Sequence, residues 1–160
     1  MNKIDQERRA LFKSFLYAFR GVRFCVKNER NMRIHLAAAV FVTAFSLVYG
    51  LTPGEYAVLF LTMGAVVAAE AVNTAVEAVV NLESPSYNEL ARIAKDVAAG
   101  AVLLTALSAC AVGVCLFFRF PRLTETLHRI LTTPWMLLLF PALLAGGVLF
   151  AFCGHRLFRK

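Results

Sequence analysis

Apolar and polar positions divide the chain into one mixed segment and four long apolar runs. In residues 7–30, basic and apolar positions recur near helical spacing, which predicts an amphipathic helix lying in the lipid headgroup layer. A basic cytosolic helix packed on another protein is the alternative for this segment. The later apolar runs are long enough to cross a bilayer. Their predicted bounds are about 34–51, 56–80, 97–118 and 134–153.

The links between these runs carry turn residues. TPGE, at Thr52–Glu55, separates the first two runs, and Pro85 in the loop NLESPSYNEL excludes one continuous helix. RFPRLTETLHR interrupts the hydrophobicity before the last run. The pattern predicts an all-α integral membrane protein with an N-terminal surface helix, three transmembrane helices and an additional C-terminal fourth hydrophobic helix.

Composition and charge place this fold in a membrane with a defined orientation. The chain is 59% hydrophobic and 17% charged, with a mean hydropathy of +0.66, whereas soluble domains are about a quarter charged. Nine of the 17 lysines and arginines lie between Lys3 and Arg33, next to apolar spans. Such a run is more typical of a positive-inside anchor on anionic lipid than of a nucleic-acid surface.

A cytoplasmic N-terminus puts fourteen of the basic residues inside. The three outside are Arg119, Arg122 and Arg129. We therefore expect a multi-pass protein of the inner (cytoplasmic) membrane, with the N-terminus in the cytoplasm and no nucleic-acid partner.

One stripe of polar residues interrupts the second span. In VVAAEAVNTAVEAVVN, the residues Glu70, Asn73, Glu77 and Asn81 fall within about 80° of arc on a helix. A carboxylate near hydrocarbon costs several kcal/mol unless it is paired, hydrated or bound to metal. The stripe is therefore a candidate functional site, although interhelical hydrogen bonding alone is a simpler explanation.

The predicted topology gathers more polar groups at the same membrane face. Glu29, Lys95 and Asp96 join Glu77 there, while Glu70 lies about 10 Å deeper. Carboxylates and a lysine can hold Mg²⁺ and a phosphate group, and a desolvated Glu70 is suited to act as general base for a hydroxyl. Motifs of soluble nucleotide-binding proteins are missing from the sequence. The residues alone fit both a phosphotransferase and a proton-coupled transporter.

A resemblance adds to this interpretation. EAVNTAVEAVVN, with YNELARIAKDVAAGAVLL after it and KNERNMRIH before it, resembles the small integral-membrane prokaryotic diacylglycerol kinase family. AKDVAAGAVLL and the ERN-x-RIH pattern are most similar to its undecaprenol kinase branch. The resemblance covers about residues 8–118, which implies a lipid kinase domain at 1–118 and a C-terminal extension at 119–160.

The resemblance also implies an activity. The family forms homotrimers whose composite sites, at the membrane–cytoplasm interface, transfer the γ-phosphate of MgATP to a lipid hydroxyl. Here the implied reaction is phosphorylation of undecaprenol to undecaprenyl phosphate, with diacylglycerol, giving phosphatidic acid, as the alternative acceptor. A small proton-coupled transporter and a non-catalytic scaffolding subunit remain as alternatives from other classes.

By the same resemblance, Glu70 is the general base and Asn73 its companion, while Glu29 and Glu77 bind the metal. The positions implied to contact ATP are Lys13, Tyr17, Glu29, Glu77, Lys95 and Asp96. The positions implied to lie near the lipid substrate are Arg23, Arg33 and Glu70.

Three positions depart from the family pattern. Asn81 stands where the family usually has Asp, which places a charge-based role there in doubt. Asn88 replaces a frequent His, and Ala10 falls where the better-known branch has an arginine.

Overall fold

The computed structural model describes residues 3–83 and 88–157, and every regular element in these two ranges is a helix. The predicted interruption at Pro85 lies outside the described residues. The helices are α1 (Lys3–Asn28), α2 (Arg30–Tyr49), α3 (Pro53–Glu83), α4 (Glu89–Phe117), α5 (Arg122–Thr132) and α6 (Pro134–Leu157).

Among the described residues, four helices are long and apolar enough to cross a membrane: α2, α3, α4 and the Pro134–Gly154 part of α6. Each overlaps one of the apolar runs of the sequence. The predicted all-α integral membrane fold, with a fourth hydrophobic helix after the first three, is confirmed. The chain is a multi-pass membrane protein.

The helices pack as two pairs joined through α2. Helix α3 lies along α4, α6 lies along α2, and α2 also contacts α3. The beginnings of α2 and α4 and the ends of α3 and α6 share one end of the bundle, which we call the site end. The opposite end, where α2 finishes, is called the far end.

Helix α1 is largely uncovered in the single chain. Its described side chains are exposed from Asp5 to Phe24, and Cys25 is its first buried residue. Large apolar side chains are among those exposed, including Phe12, Phe15 and Phe19. This exposure is compatible with a helix in a lipid surface, and that location stays a prediction.

Helix α5 caps the far end, where the sequence pattern predicted no helix. Arg122 donates from Nε to the carbonyl oxygen of Tyr49 at 3.1 Å, and its guanidinium also bonds the carbonyl of Gly50. The same guanidinium lies 4.8 Å from the centre of the Tyr49 ring. These are carbonyls that the end of α2 leaves without helical partners.

Local partners explain two basic residues on the face predicted to be outside. Arg122 caps α2, and Arg119 forms an ion pair with Glu55 at the start of α3. Both cations therefore hold the far end together, which accounts for their presence on a face that the positive-inside pattern leaves poor in basic residues.

An aromatic cluster fixes α6 against α2 near the far end. Phe140 is 8% exposed, and its ring meets Phe41 and Phe45 edge to face at 5.8 and 6.4 Å between centroids. Ile130 of α5 and Met136 of α6 complete this buried cluster. The C-terminal extension is thus packed on the first span through specific side-chain contacts.

We expect Phe140→Ala to destabilise this packing. A Phe→Ala change in a core costs about 3–5 kcal/mol, and we expect roughly 2 kcal/mol here because lipid replaces part of the lost contact. The measurement is the denaturation midpoint of the purified protein in mixed micelles. Leu138→Ala, at a side chain that is 75% exposed, is the matched control and should leave the midpoint unchanged. Equal midpoints for the two variants would contradict the docking of α6.

Candidate active site

Glu70 is the most deeply buried acid of the site. It is 1% exposed, within the alanine-rich part of α3 that permits close helix packing. Thr74, one turn later, is also buried and donates its hydroxyl to the backbone carbonyl of Glu70 at 3.0 Å. The Thr74 hydroxyl therefore binds the backbone of Glu70 and not its carboxylate.

Two buried acceptor oxygens lie one helical turn apart. Within the described part of the chain, Glu70 Oε2 and Asn73 Oδ1 have no hydrogen-bond donor. Asn73 Nδ2 donates to Glu77 Oε1 at 2.9 Å, which holds the amide in this orientation. Because buried polar atoms are nearly always paired, this pair of free acceptors indicates a place where a donor group binds.

Glu70 and Asn73 both line a cavity of about 280 Å³ between α2, α3 and α4. It is lined by Asn31, Ile34, His35, Glu70, Asn73, Ala99, Val102, Leu103 and Ala106. No role was predicted from the sequence for Asn31 or His35. Their signal was the spacing of four residues at the start of an apolar helix, which puts both on one face.

An apolar groove continues from this cavity. It has a volume of about 380 Å³ and runs between α2, α3 and α4 from His35 towards Phe117, lined mainly by alanine, valine and leucine side chains. His35 borders both spaces. A ligand with a polar head and a hydrocarbon chain would fit the polar cavity and the groove together.

Glu29 lies at the junction of α1 and α2. It is the single residue between the two helices, it has an extended backbone (φ −97°, ψ 121°), and its side chain is half-buried. Asn31, two residues after Glu29, lines the cavity, and Glu77 accepts a hydrogen bond from Asn73, which lines it too, so Glu29 and Glu77 stand next to residues of the cavity that Glu70 lines.

The donor set of this site fits magnesium bound together with phosphate. Among the described residues, no group of three His, Cys, Asp or Glu side chains is placed to hold a metal by itself. Mg²⁺ is usually held by one or two carboxylates, with phosphate oxygens and water completing its six ligands. The two carboxylates predicted from the sequence as ligands of such an ion are Glu29 and Glu77, and that role stays a prediction.

Lys95 and Asp96 lie at the site end of α4. Lys95 Nζ donates to Asn81 Oδ1 at 3.2 Å, which links α4 to the end of the polar stripe on α3. Asp96 is exposed and pairs with Arg92 at 3.5 Å. Asn81, where a carboxylate is usual in the resembled family, thus holds Lys95 without neutralising its charge.

The predicted residues of α1 are not part of this cavity. Lys13, Tyr17 and Arg23 are exposed, and Tyr17 contacts Arg20 of its own helix at 5.8 Å from ring centre to guanidinium. Arg33, on α2, is 4% exposed and bonds backbone carbonyls. The single chain therefore places Glu70 and Asn73 in the cavity, with Glu77 bonded to Asn73, and leaves these residues outside it.

Comparison with known proteins relates this geometry to a family. The sequence model described as prokaryotic diacylglycerol kinase matches residues 16–117. A protein of Synechocystis sp. named diacylglycerol kinase is 51% identical over 108 residues, which are 66% of this chain and 61% of that protein. A protein of Bacillus subtilis named undecaprenol kinase is 38% identical over 111 residues, which are 69% of this chain and 90% of that protein.

No solved structure shows significant similarity to the chain. The family match covers α2, α3 and α4, the helices that line the cavity, together with the part of α1 from Leu16 onward. It ends at Phe117, so α5 and α6 lie beyond it. The chain belongs to the prokaryotic diacylglycerol kinase family.

Proposed function

We propose that the protein phosphorylates the primary hydroxyl of a membrane lipid alcohol, with MgATP as the phosphate donor. The observation that carries this proposal is the buried Glu70 Oε2, which has no hydrogen-bond partner among the described residues, on a side chain that lines a polar cavity continued by an apolar groove. A lipid alcohol would place its hydroxyl at Glu70 and its chain in the groove. We infer ATP as the phosphate donor from membership of a kinase family.

In this mechanism Glu70 Oε2 accepts the proton of the lipid hydroxyl. The hydroxyl oxygen forms the new bond to the γ-phosphorus of ATP, the bond from that phosphorus to the bridging oxygen breaks, and ADP leaves. Asn73, whose Nδ2 donates to Glu77, lines the same cavity and would orient the hydroxyl by donating the second proton of that amide nitrogen to the hydroxyl oxygen. Burial of Glu70 keeps water from competing for the phosphate.

Glu29 and Glu77 would hold Mg²⁺ in this proposal. The ion, when bound, offsets the negative charge of the ATP phosphates. Lys95 supplies a positive charge to phosphate at the site end, and Asp96 lies next to it to help hold the nucleotide.

A second copy of the chain would complete the nucleotide site. Lys13 and Tyr17 are exposed on α1 and do not line the cavity of their own chain. We propose that they reach a neighbouring copy in a homotrimer, with Arg23 close to the lipid. The exposed apolar side chains of α1 would then contact lipid or the neighbour.

The helices would cross the inner membrane with the site end on the cytoplasmic side, because the cytoplasm supplies ATP. The charge distribution supports this orientation, since fourteen of the 17 basic residues belong to that side.

Undecaprenol is the acceptor that we propose, and diacylglycerol is the alternative. Both present a primary hydroxyl, so the residues of the cavity do not separate them. KNERNMRIH and AKDVAAGAVLL favour undecaprenol, as does the undecaprenol kinase of Bacillus subtilis, of which the chain covers 90%. The relative named diacylglycerol kinase has the higher identity, which keeps that acceptor open to test.

The test is an acceptor assay with purified protein in nanodiscs that contain one lipid alcohol at a time. With MgATP, we expect a higher kcat/KM for undecaprenol than for diacylglycerol. Equal or absent turnover of undecaprenol would overturn that preference. Phosphorylation of neither lipid would favour the scaffolding or transporter alternatives.

A further inference from the structure

The end of α6 contacts the junction of α1 and α2, beside the proposed metal ligand Glu29. Ala151 and Gly154 of α6 are buried there, as is Arg33 of α2. Neither residue of α6 lies in the part of the chain that matches the family, which ends at residue 117. This contact therefore belongs to the extension of this chain.

Arg33 connects three segments through backbone carbonyls. Its Nη1 donates to the carbonyl oxygens of Val26 and Lys27 at 3.0 and 3.1 Å, and its Nε donates to that of Ala151 at 3.1 Å. Val26 and Lys27 lie in the last turn of α1, where carbonyls lack helical partners. We call Arg33 and these three carbonyls the Arg33 clamp.

Close packing of α6 keeps the clamp in this position. A Cβ atom at Gly154 would lie 2.8 Å from Arg33 Cδ and 3.3 Å from its Nε, so glycine is the residue that lets α6 approach. On the other side, the guanidinium of Arg30 lies 5.8 Å from the centre of the Phe152 ring. Helix α6 thus contacts two arginines of the first turn of α2, Arg30 and Arg33, both of which follow Glu29 in the chain.

We propose that α6 positions Glu29 through the Arg33 clamp, which makes Ala151, Gly154 and Arg33 positioning residues for MgATP binding. Glu29 is the only residue between α1 and α2, so the angle between these helices sets the direction of its carboxylate. The clamp fixes that angle because it ties the end of α1 to α2 and α6. This inference rests on the proposed role of Glu29 as a magnesium ligand.

The clamp differs from the lipid contact predicted for Arg33. If Arg33 bound the lipid, a substitution that displaces Arg33 would change the KM for the lipid. A clamp acts on Glu29 and would change the KM for MgATP instead. Three hydrogen bonds to backbone and 4% exposure favour the clamp in this structure.

The test uses Gly154→Ala, because the added methyl group displaces Arg33 without changing a charge. We expect the KM for MgATP to rise about tenfold, with kcat and the KM for the lipid within about twofold of the wild type, because the change weakens hydrogen bonds that orient a charged ligand. Gly146→Ala on the same helix is the matched control, since a Cβ there meets no atom within 4 Å. The control should match the wild type.

Two further measurements keep the outcome decisive. In a Glu29→Gln background, Gly154→Ala should raise the KM for MgATP little further. The reason is that the carboxylate which Gly154→Ala would misplace, that of Glu29, has already been removed. Hydrogen exchange of the amides at residues 26–33 should be faster in Gly154→Ala than in Gly146→Ala, whatever the activity. Any one of three results for Gly154→Ala would overturn the proposal. These are normal hydrogen exchange at residues 26–33, a normal KM for MgATP in an active enzyme, and an effect confined to the KM for the lipid.

The exchange measurement separates this inference from the proposed function. A wild-type protein that phosphorylates no lipid would overturn the proposed function and the link to MgATP, while faster exchange in Gly154→Ala would still establish the contact of α6 with the α1–α2 junction. An active wild type with no difference between the two glycine variants would overturn the clamp alone.

Discussion

Replacement of Glu70 by glutamine is expected to lower kcat by about a thousandfold, within the range that general base catalysis contributes. The amide keeps the shape of the side chain but cannot take the proton of the attacking hydroxyl. In the proposed mechanism, residues other than Glu70 bind the nucleotide. Nucleotide binding that is equal in the ground state and the transition state is then unchanged, so the KM for MgATP should stay within about threefold of the wild type. Steady-state kinetics in nanodiscs with saturating lipid measure both constants.

Glu83→Gln is the matched control for this variant. Glu83 is an exposed acid at the end of the same helix, and we expect its replacement to leave both constants unchanged. A Glu70→Gln enzyme that retains kcat but binds MgATP weakly would mean that the base and metal-ligand roles are exchanged between the acids of the site.

Glu77→Ala is expected to raise the KM for MgATP by about 10- to 100-fold, because a hydrogen bond or contact with a charged group contributes about 1.5–3 kcal/mol. Loss of the carboxylate removes one of the two proposed magnesium ligands. It also removes the acceptor that holds Asn73 Nδ2 at 2.9 Å. The KM is measured at several fixed Mg²⁺ concentrations, and added Mg²⁺ should partly restore binding.

Glu77→Gln separates these two consequences. The amide oxygen can still accept the hydrogen bond from Asn73, while the negative charge is gone. If metal binding is the main role of Glu77, the alanine and glutamine variants should have similar KM values for MgATP. A glutamine variant with wild-type kinetics would show that the orientation of Asn73, and not a metal, explains the effect of alanine.

Much of the site could be predicted from the sequence because it is carried by one helix. The spacing of Glu70, Asn73 and Glu77 fixes them on one face of α3 whatever the neighbouring helices do. The hydrogen bond from Asn73 to Glu77 spans four residues and follows directly from that spacing. The apolar runs likewise predict the spanning helices, because crossing a bilayer imposes length and composition on each segment.

Features that depend on contacts between distant segments could not be predicted. The sequence pattern places Arg33 among the basic residues of a membrane surface. The backbone carbonyl that accepts its hydrogen bond, that of Ala151, lies 118 residues away in the chain. Asn31 and His35 join the site only because α3 and α4 pack beside them. Helix α5 has 11 residues and is mostly polar, so neither length nor hydropathy distinguishes it from a loop.

The central claim is that the acids of this apolar bundle transfer phosphate from ATP to a lipid alcohol. The most direct test follows the γ-phosphate of radiolabelled MgATP into undecaprenol or diacylglycerol, in nanodiscs containing the wild-type protein or a variant with glutamine at Glu29, Glu70 and Glu77. Labelled lipid phosphate should form with the wild type and be absent with the triple variant. Undiminished label in the lipid with the triple variant, or no label with the wild type, would contradict the account.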